Sequence, residues 1–310
     1  MLESVGAATY NAVAMADRTG TYERDGALDV KGTLGIAGVG LIGGSIAAAV
    51  RSRRLAARII GFGRSKERLD AARQAGLIDE IATGYDAARQ IDLFVCCLPV
   101  DRIADSVREA AGHMKPGSLI TDAGSAKASI CEAIGPAPAP GVRFVGSHPL
   151  AGSERQGFEH ADADLFAGRT CIVTPTGTAD APAARDAAIF WNQLGSRVVE
   201  MSPDEHDEVL ARTSHLPHVV SAAVAAGIRA GEEQYAAGGF RDVTRVAGGD
   251  PGLWSSILLA NRDAMRGEIA RHIDRCRAFA TALEEADGDE LCRLLAQSKA
   301  RRDAFAESFK

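Results

Sequence analysis

Gly32-Thr33-Leu34-Gly35-Ile36-Ala37-Gly38-Val39-Gly40-Leu41-Ile42-Gly43-Gly44-Ser45-Ile46-Ala47-Ala48-Ala49-Val50 is the stretch from which the rest of the chain is read. The apolar run Leu34 to Ala37 predicts a strand, and small apolar residues after Gly43 continue at helical spacing. Between them stands a glycine-rich turn. Gly38 lets the chain turn sharply, Gly40 clears room for a pyrophosphate, and Gly43 lets the helix pack on the strand. The free N–H groups of the helix start then face the phosphates. A second apolar strand, Arg58 to Phe62, follows at the distance a βαβ unit needs. A membrane span is the competing reading, since the run is uncharged and flanked by Arg51, Arg53 and Arg54. Five glycines after Thr33 break it, and no second span follows, so the stretch reads as a dinucleotide site.

The remaining alternation predicts strands at Ile91 to Leu98, Ser118 to Thr121, Val142 to Gly146, Arg169 to Thr174 and Ser196 to Met201. Helices fall between them at Glu67 to Ala75, Ala104 to Met114 and Ala181 to Leu194, with Ser125 placed to cap one after Thr121. This is an α/β, Rossmann-type, doubly wound sheet over residues 31–201. From Ser202-Pro203 onward only helical stretches are predicted, giving a second, all-α domain over residues 202–310. Within it, Val219 to Ile228 is apolar on nearly every face and is expected to be buried in the domain or in a subunit interface. Pro217 should kink its helix, and Asp250-Pro251 should open a long helix towards Ala286. Residues 1–30 lack periodicity and read as a disordered extension.

A chain of 310 residues has room for both domains, and its net charge of −6 argues against nucleic-acid or anionic-membrane partners. The six cysteines show no CxxC or zinc spacing, and no signal peptide is visible, so reduced thiols and a cytoplasmic location are expected.

The cofactor contacts predicted from the turn and the strand ends are Gly38, Gly40, Leu41, Ile42, Gly43, Arg64, Ser65, Leu98 and Pro99. In NAD sites an acid about twenty residues past the glycines binds the ribose hydroxyls. Gly63 occupies that place here, followed by Arg64-Ser65-Lys66, a set suited to a 2′-phosphate. NADP is therefore favoured, with NAD possible.

His148 and Ser125 follow predicted strands at the edge where such sheets place their ligands. A histidine there can take a proton from an alcohol as hydride leaves the same molecule, and a serine within reach could orient it. His215 and His218 lie one helical turn apart. Without further ligands at zinc-like spacing they point into a cleft rather than to a metal, and no metal site is predicted. Arg241 and Arg245 sit in Gly238 to Arg245, where the glycines suggest a tight loop before a helix N-terminus, a place for a carboxylate. Gly239 is assigned to the substrate side with them. No lysine occurs between Lys127 and Lys299, which fits poorly with hydroxyacid dehydrogenases that need one in the helical domain.

The order of Gly38 to Gly44, Asp122-Ala123-Gly124-Ser125-Ala126-Lys127, Gly146-Ser147-His148-Pro149-Leu150-Ala151-Gly152-Ser153-Glu154, Ser214 to His218, Gly238 to Arg245 and Asp250 to Trp254 resembles the prephenate/arogenate dehydrogenase family of tyrosine biosynthesis. The resemblance implies a Rossmann domain joined to an all-helical domain that forms a homodimer. It also implies a small-molecule substrate, prephenate or arogenate. By it, His148 would accept the proton of the ring 4-hydroxyl with Ser125 in support, and His218 would position substrate with His215 close by. Arg245 would grip a carboxylate and Trp254 would line the site. The pair of histidines leans the reading to prephenate. The helical stretch is expected to carry no regulatory ACT domain or chorismate mutase, so tyrosine feedback is not implied. Two other readings stand beside it: another two-domain dehydrogenase of small hydroxy or keto acids, and a non-catalytic Rossmann sensor. The enzyme reading needs His148 and Arg245 to converge on one site.

Overall fold

The computed structural model describes residues 32–152 and 155–307. The extension over residues 1–30 and the Ser153-Glu154 pair of the quoted motif lie outside the described residues.

Among the described residues eight strands form one sheet: β1 (Thr33–Ala37), β2 (Arg58–Phe62), β3 (Glu80–Ala82), β4 (Leu93–Cys96), β5 (Leu119–Asp122), β6 (Arg143–Pro149), β7 (Thr170–Thr174) and β8 (Arg197–Glu200). Their spatial order is β3-β2-β1-β4-β5-β6-β7-β8. Pairing is parallel from β3 to β6; β7 runs antiparallel to β6 and parallel to β8. The order reverses between β1 and β4, which opens a crevice at their carboxyl ends. Strand β3 was not predicted. It has three residues and only Ala82 is buried, so no apolar run marks it.

The chain winds helices onto both faces. Helices α1 (Leu41–Arg53), α2 (Lys66–Gln74), α3 (Val100–His113), α4 (Ala128–Ile134) and α5 (Ala181–Gln193) alternate with the strands. Leu34 and Ile36 of β1 pack with Ile46 and Val50 of α1, Leu69 of α2 and Trp191 of α5 on one face. Ala37, Phe94 and Ile120 pack with Ile103 and Val107 of α3 and Ile130 of α4 on the other. Successive strand side chains point to opposite faces, so near-continuous apolar runs fill both cores.

After β8 the described residues are helical: α6 (Pro203–Leu210), a π turn (Ala211–His215), α7 (Leu216–Ala226), α8 (Gly238–Thr244), α9 (Pro251–Ala260), α10 (Arg262–Glu284) and α11 (Gly288–Glu307). This half docks on the sheet through Ile257 and Trp254 of α9, which join the core around α3 and α4.

Four expectations are corrected here. The predicted kink at Pro217 takes the form of the π turn just before α7, which absorbs the missing N–H. The single helix from Asp250 is two, α9 and α10, broken at Asn261, whose amide turns inward to bond Asp207 and His215. Gly238 and Gly239 form the first turn of α8 rather than a tight loop, and neither has a positive φ. The apolar stretch around α7 is not buried within one chain: Ala222, Ala223, Val224 and Ala226 are exposed.

Candidate active site

The glycine turn is built for close approach. Gly38 has φ +87°, and a Cβ there would stand 2.7 Å from the Cys97 carbonyl oxygen and against the Leu98 side chain. A Cβ on Gly43 would collide with the Gly38 carbonyl oxygen, whereas at Gly40 it would meet open space. Helix α1 has no side-chain cap and no acid in its first turn, so its leading N–H groups, at Leu41 and Ile42, face the crevice without a protein anion. These residues fit a dinucleotide pyrophosphate. Leu98 and Pro99 carry the chain from β4 into α3 on the other wall. Gly63 leads from β2 into Arg64, which is exposed, and Ser65, whose Oγ caps α2 by accepting the Arg68 N–H at 3.3 Å. The Ser65 hydroxyl proton is thereby left to donate outward.

His148 lies within β6, not after it, opposite Ile172 of β7. Strand β6 outlasts the predicted Gly146 because β7 turns back to pair with it. The bond that orients the imidazole comes from an unpredicted source. His148 Nδ1 is 2.9 Å from His206 Nε2, and His206 Nδ1 is 2.7 Å from Asp207 Oδ1. An ionised carboxylate only accepts, so His206 carries its proton on Nδ1 and offers a lone pair at Nε2. His148 Nδ1 must then donate, which leaves the lone pair of His148 Nε2 free. The relay fixes a tautomer that sequence alone could not specify.

Asp207 also caps α4. Its Oδ1 accepts the Lys127 N–H at 2.8 Å and its Oδ2 the Ala128 N–H at 2.9 Å. That replaces the predicted cap by Ser125, which precedes the helix start by too many residues. Nor does Ser125 orient His148, whose Nδ1 is held by His206. Beneath the relay, the fully buried Lys127 Nζ donates to Asp122 Oδ2 and, at 3.0 Å, to the Ser147 carbonyl oxygen.

The π turn explains how His206 and His215 both reach this region. They are nine positions apart. At about 100° per residue this spacing sets them on opposite faces of a regular helix. The extra residue of a π turn swings His215 back towards the His206 side. His215 is 1 % exposed and its Nδ1 accepts from Asn261 Nδ2 at 3.1 Å, while the same amide donates to the Asp207 carbonyl oxygen at 2.8 Å. It therefore ties the π turn to the junction of α9 and α10 within the helical half, and its burial departs from its assignment as a substrate contact. His218, partly exposed, stacks on Trp254 with ring centroids 3.3 Å apart. Gly249 leaves the space that the Trp254 indole fills. Arg245 is exposed, at the end of α8, and its charge acts on His218. The N-terminus of α9 is not open to a carboxylate, because Asp250 caps it by accepting the Leu253 N–H at 2.7 Å.

Burial is the main cause of every histidine shift here. It holds His148 well below the ordinary imidazole range, helped by His206, Lys127 and His215. His206 is lowered less because Asp207 opposes the effect of burial. His215 is brought to about 4. His218 is lowered by burial and then by Arg245. The imidazoles are thus neutral at physiological pH, as an acceptor of protons must be. The loop after β6 links this site to the crevice: Gly152 approaches Ile42, and Phe158 and Ala161 pack against Gly44. Among the described residues no group of three or more His, Cys, Asp or Glu could hold a metal ion, and no helix is long and apolar enough to cross a membrane.

His206, Asp207 and Asn261 were missed. Each reads as an ordinary helix residue, since nothing in the linear pattern reports a contact made through space. The one available signal was His206-Asp207 itself, a histidine beside a carboxylate just after Ser202-Pro203.

Two family models match the chain. One, described as the nucleotide-binding domain of prephenate dehydrogenase, covers residues 46–200; the other, its dimerization domain, covers residues 202–297. The chain is 35% identical over 287 residues to a prephenate dehydrogenase of Bacillus subtilis, covering 89% of this chain and 76% of that one. It is 34% identical over 280 residues to a cyclohexadienyl dehydrogenase of Zymomonas mobilis, covering 88% and 95%. A crystal structure of Aquifex aeolicus prephenate dehydrogenase with hydroxyphenyl propionate and NAD+ is similar at TM-score 0.81 and 29% identity, covering 88% of this chain and 98% of that one.

Proposed function

The chain belongs to the prephenate dehydrogenase family, and from that membership we propose that it catalyses the oxidative decarboxylation of prephenate to 4-hydroxyphenylpyruvate. The observation that carries the reading is the free lone pair on His148 Nε2, presented at the end of the relay from Asp207. A nicotinamide bound in the crevice supplies the acceptor for the hydride that leaves ring carbon 4. His148 Nε2 takes the 4-hydroxyl proton as that carbon becomes electron-poor. The electron pair of the bond to the ring carboxylate then enters the ring, carbon dioxide departs, and His148 returns the proton to the phenolate oxygen. Aromatisation drives the sequence, so the protein's share is alignment and fixed charge. Asp207 offsets the weakness of a buried base by stabilising the imidazolium pair as it forms.

Arg245, whose charge acts on His218, is assigned to a substrate carboxylate, with Gly239 in the first turn of α8 and Ser125 in the turn after β5 bordering the site. His215 is withdrawn from the substrate side, and with it the argument that two histidines select prephenate. The choice of prephenate over arogenate rests on the similarity to the Bacillus subtilis enzyme. NADP is the preferred cofactor in this reading, because the end of β2 carries Gly63, Arg64 and Ser65 and no carboxylate before Glu67. A homodimer through the helical half accounts for the exposed apolar side chains of α11, Leu295 (60 %) and Phe305 (56 %), on a helix with no buried residue within one chain. A cytoplasmic location goes with this activity.

The test is steady-state turnover of prephenate and arogenate with NAD and NADP, for the wild type and His148→Asn. Prephenate with NADP should give the highest kcat/KM, with one carbon dioxide released per reduced cofactor. His148→Asn should abolish turnover while dinucleotide affinity stays within about threefold. Dinucleotide binding that falls in step with activity would sink the assignment of the base.

A further inference from the structure

The buried Lys127–Asp122 ion pair has no part in the reaction as described. Taking two charges out of water is costly, and apolar side chains of similar volume often serve stability as well. The bonds of this pair converge on the base. Asp122 Oδ1 accepts the Ser147 N–H at 3.0 Å, and Oδ2 accepts the Gly124 N–H at 2.8 Å. Lys127 Nζ holds the Ser147 carbonyl, one residue before His148, while the Lys127 backbone N–H holds Asp207, the far end of the relay. Residue 127 therefore bonds Asp207 at one end of the relay and the residue just before His148 at the other.

We propose that Lys127, fixed by Asp122, is a positioning residue for His148: it pins the β6 backbone beside the imidazole and, as a buried cation, keeps the His148–His206 pair uncharged until substrate delivers its proton. The inference rests on His148 being the base. The groups that face His148 are His206 and Asp207 from α6, His215 from the π turn, Asp122 from the end of β5, Lys127 from the start of α4, and the Cys171 thiol from β7. Of these, Lys127 alone contributes a standing positive charge. Its proximity works with burial to disfavour the imidazolium. The same repulsion promotes return of the proton to the product oxygen, which a cation-free pocket would hold back.

The experiment is the pH profile of kcat/KM for Lys127→Met, for Lys127→Met combined with Asp122→Asn, and for His148→Asn. The double variant replaces the pair by neutral side chains of similar shape, so it leaves no unpaired buried carboxylate. In both Lys127 variants the acid limb should move up by about half a pH unit or more, with KM for substrate and dinucleotide within about threefold. A pair that only holds the fold together would lower the melting temperature and leave that limb where it was. An unmoved limb in a variant that folds and binds dinucleotide overturns the proposal, and so does failure of both variants to fold. Turnover surviving in His148→Asn would instead overturn the assignment of the base, which keeps the two failures apart.

Discussion

Asp207→Asn is the most informative single change, because the side chain keeps its shape and loses only its charge and half its accepting capacity. In the wild type the carboxylate accepts from His206 Nδ1 at 2.7 Å, from Lys127 N–H at 2.8 Å and from Ala128 N–H at 2.9 Å. An asparagine oxygen can serve the first two, but its NH2 group then faces the Ala128 N–H, donor against donor. The lost bond and the lost charge at the α4 N-terminus should lower stability by about 2–3 kcal/mol. The larger effect is on the tautomer. Without a carboxylate to hold the proton on Nδ1, His206 can carry it on Nε2 and donate to His148 Nδ1. His148 must then protonate Nε2, and the lone pair that meets the substrate is gone. The loss should fall on kcat, by about 10²–10⁴, the usual contribution of a general base, with KM changed less than about threefold. The assay is reduced-cofactor formation under saturating substrate, with dinucleotide titration and a thermal melt to confirm that the variant is folded. A folded Asp207→Asn enzyme with kcat within about threefold of wild type would refute the relay.

Arg64→Ala should weaken NADP by about ten- to a hundredfold, the worth of a charge-assisted phosphate bond, and leave NAD within about threefold; equal losses in equilibrium titrations would remove the 2′-phosphate argument. Gly63→Asp should shift preference towards NAD, since a Cβ there meets only the Leu69 side chain at 3.6 Å and the carboxylate is free to reach the ribose. Gly43→Ala, which drives a methyl into the Gly38 carbonyl, should cost about 1–3 kcal/mol and at least about tenfold in dinucleotide affinity, and an unchanged melt and titration would show that the turn has slack. His215 protonates near 6.5 when unfolded but only at about 4 in the native state, so between those values the unfolded chain binds more protons and stability rises with pH. About 2 kcal/mol from this residue should be lost between about pH 7 and about pH 5, read from urea midpoints; a flat profile would contradict the burial of that ring.

The nucleotide half was legible because its signals are local. The glycine turn, the apolar strands and their spacing each follow from steric demands within a few residues, and the sheet order then follows from βαβ chemistry. The short β3 escaped for the same reason, having too little apolar surface to show. His148 was found by its place near a strand end, but what makes it a base was not, because His206, Asp207 and Lys127 act through space. The helical half was legible as helices and little more. Its breaks are set by tertiary bonds: Asn261 turns the chain to reach Asp207 and His215, and the π turn sits where Pro217 forbids a regular ladder. Composition could not distinguish a histidine that faces a cleft, His218, from one spent as a joint, His215.

The carboxylate of Asp207 sits on α6, beyond the last strand, while the ring it governs sits on β6. Closure and chemical competence are consequently a single event. Any breathing of the two lobes wide enough to draw α6 away from the sheet disconnects the imidazole from its proton relay, so an open molecule can exchange ligands but cannot abstract a proton from them.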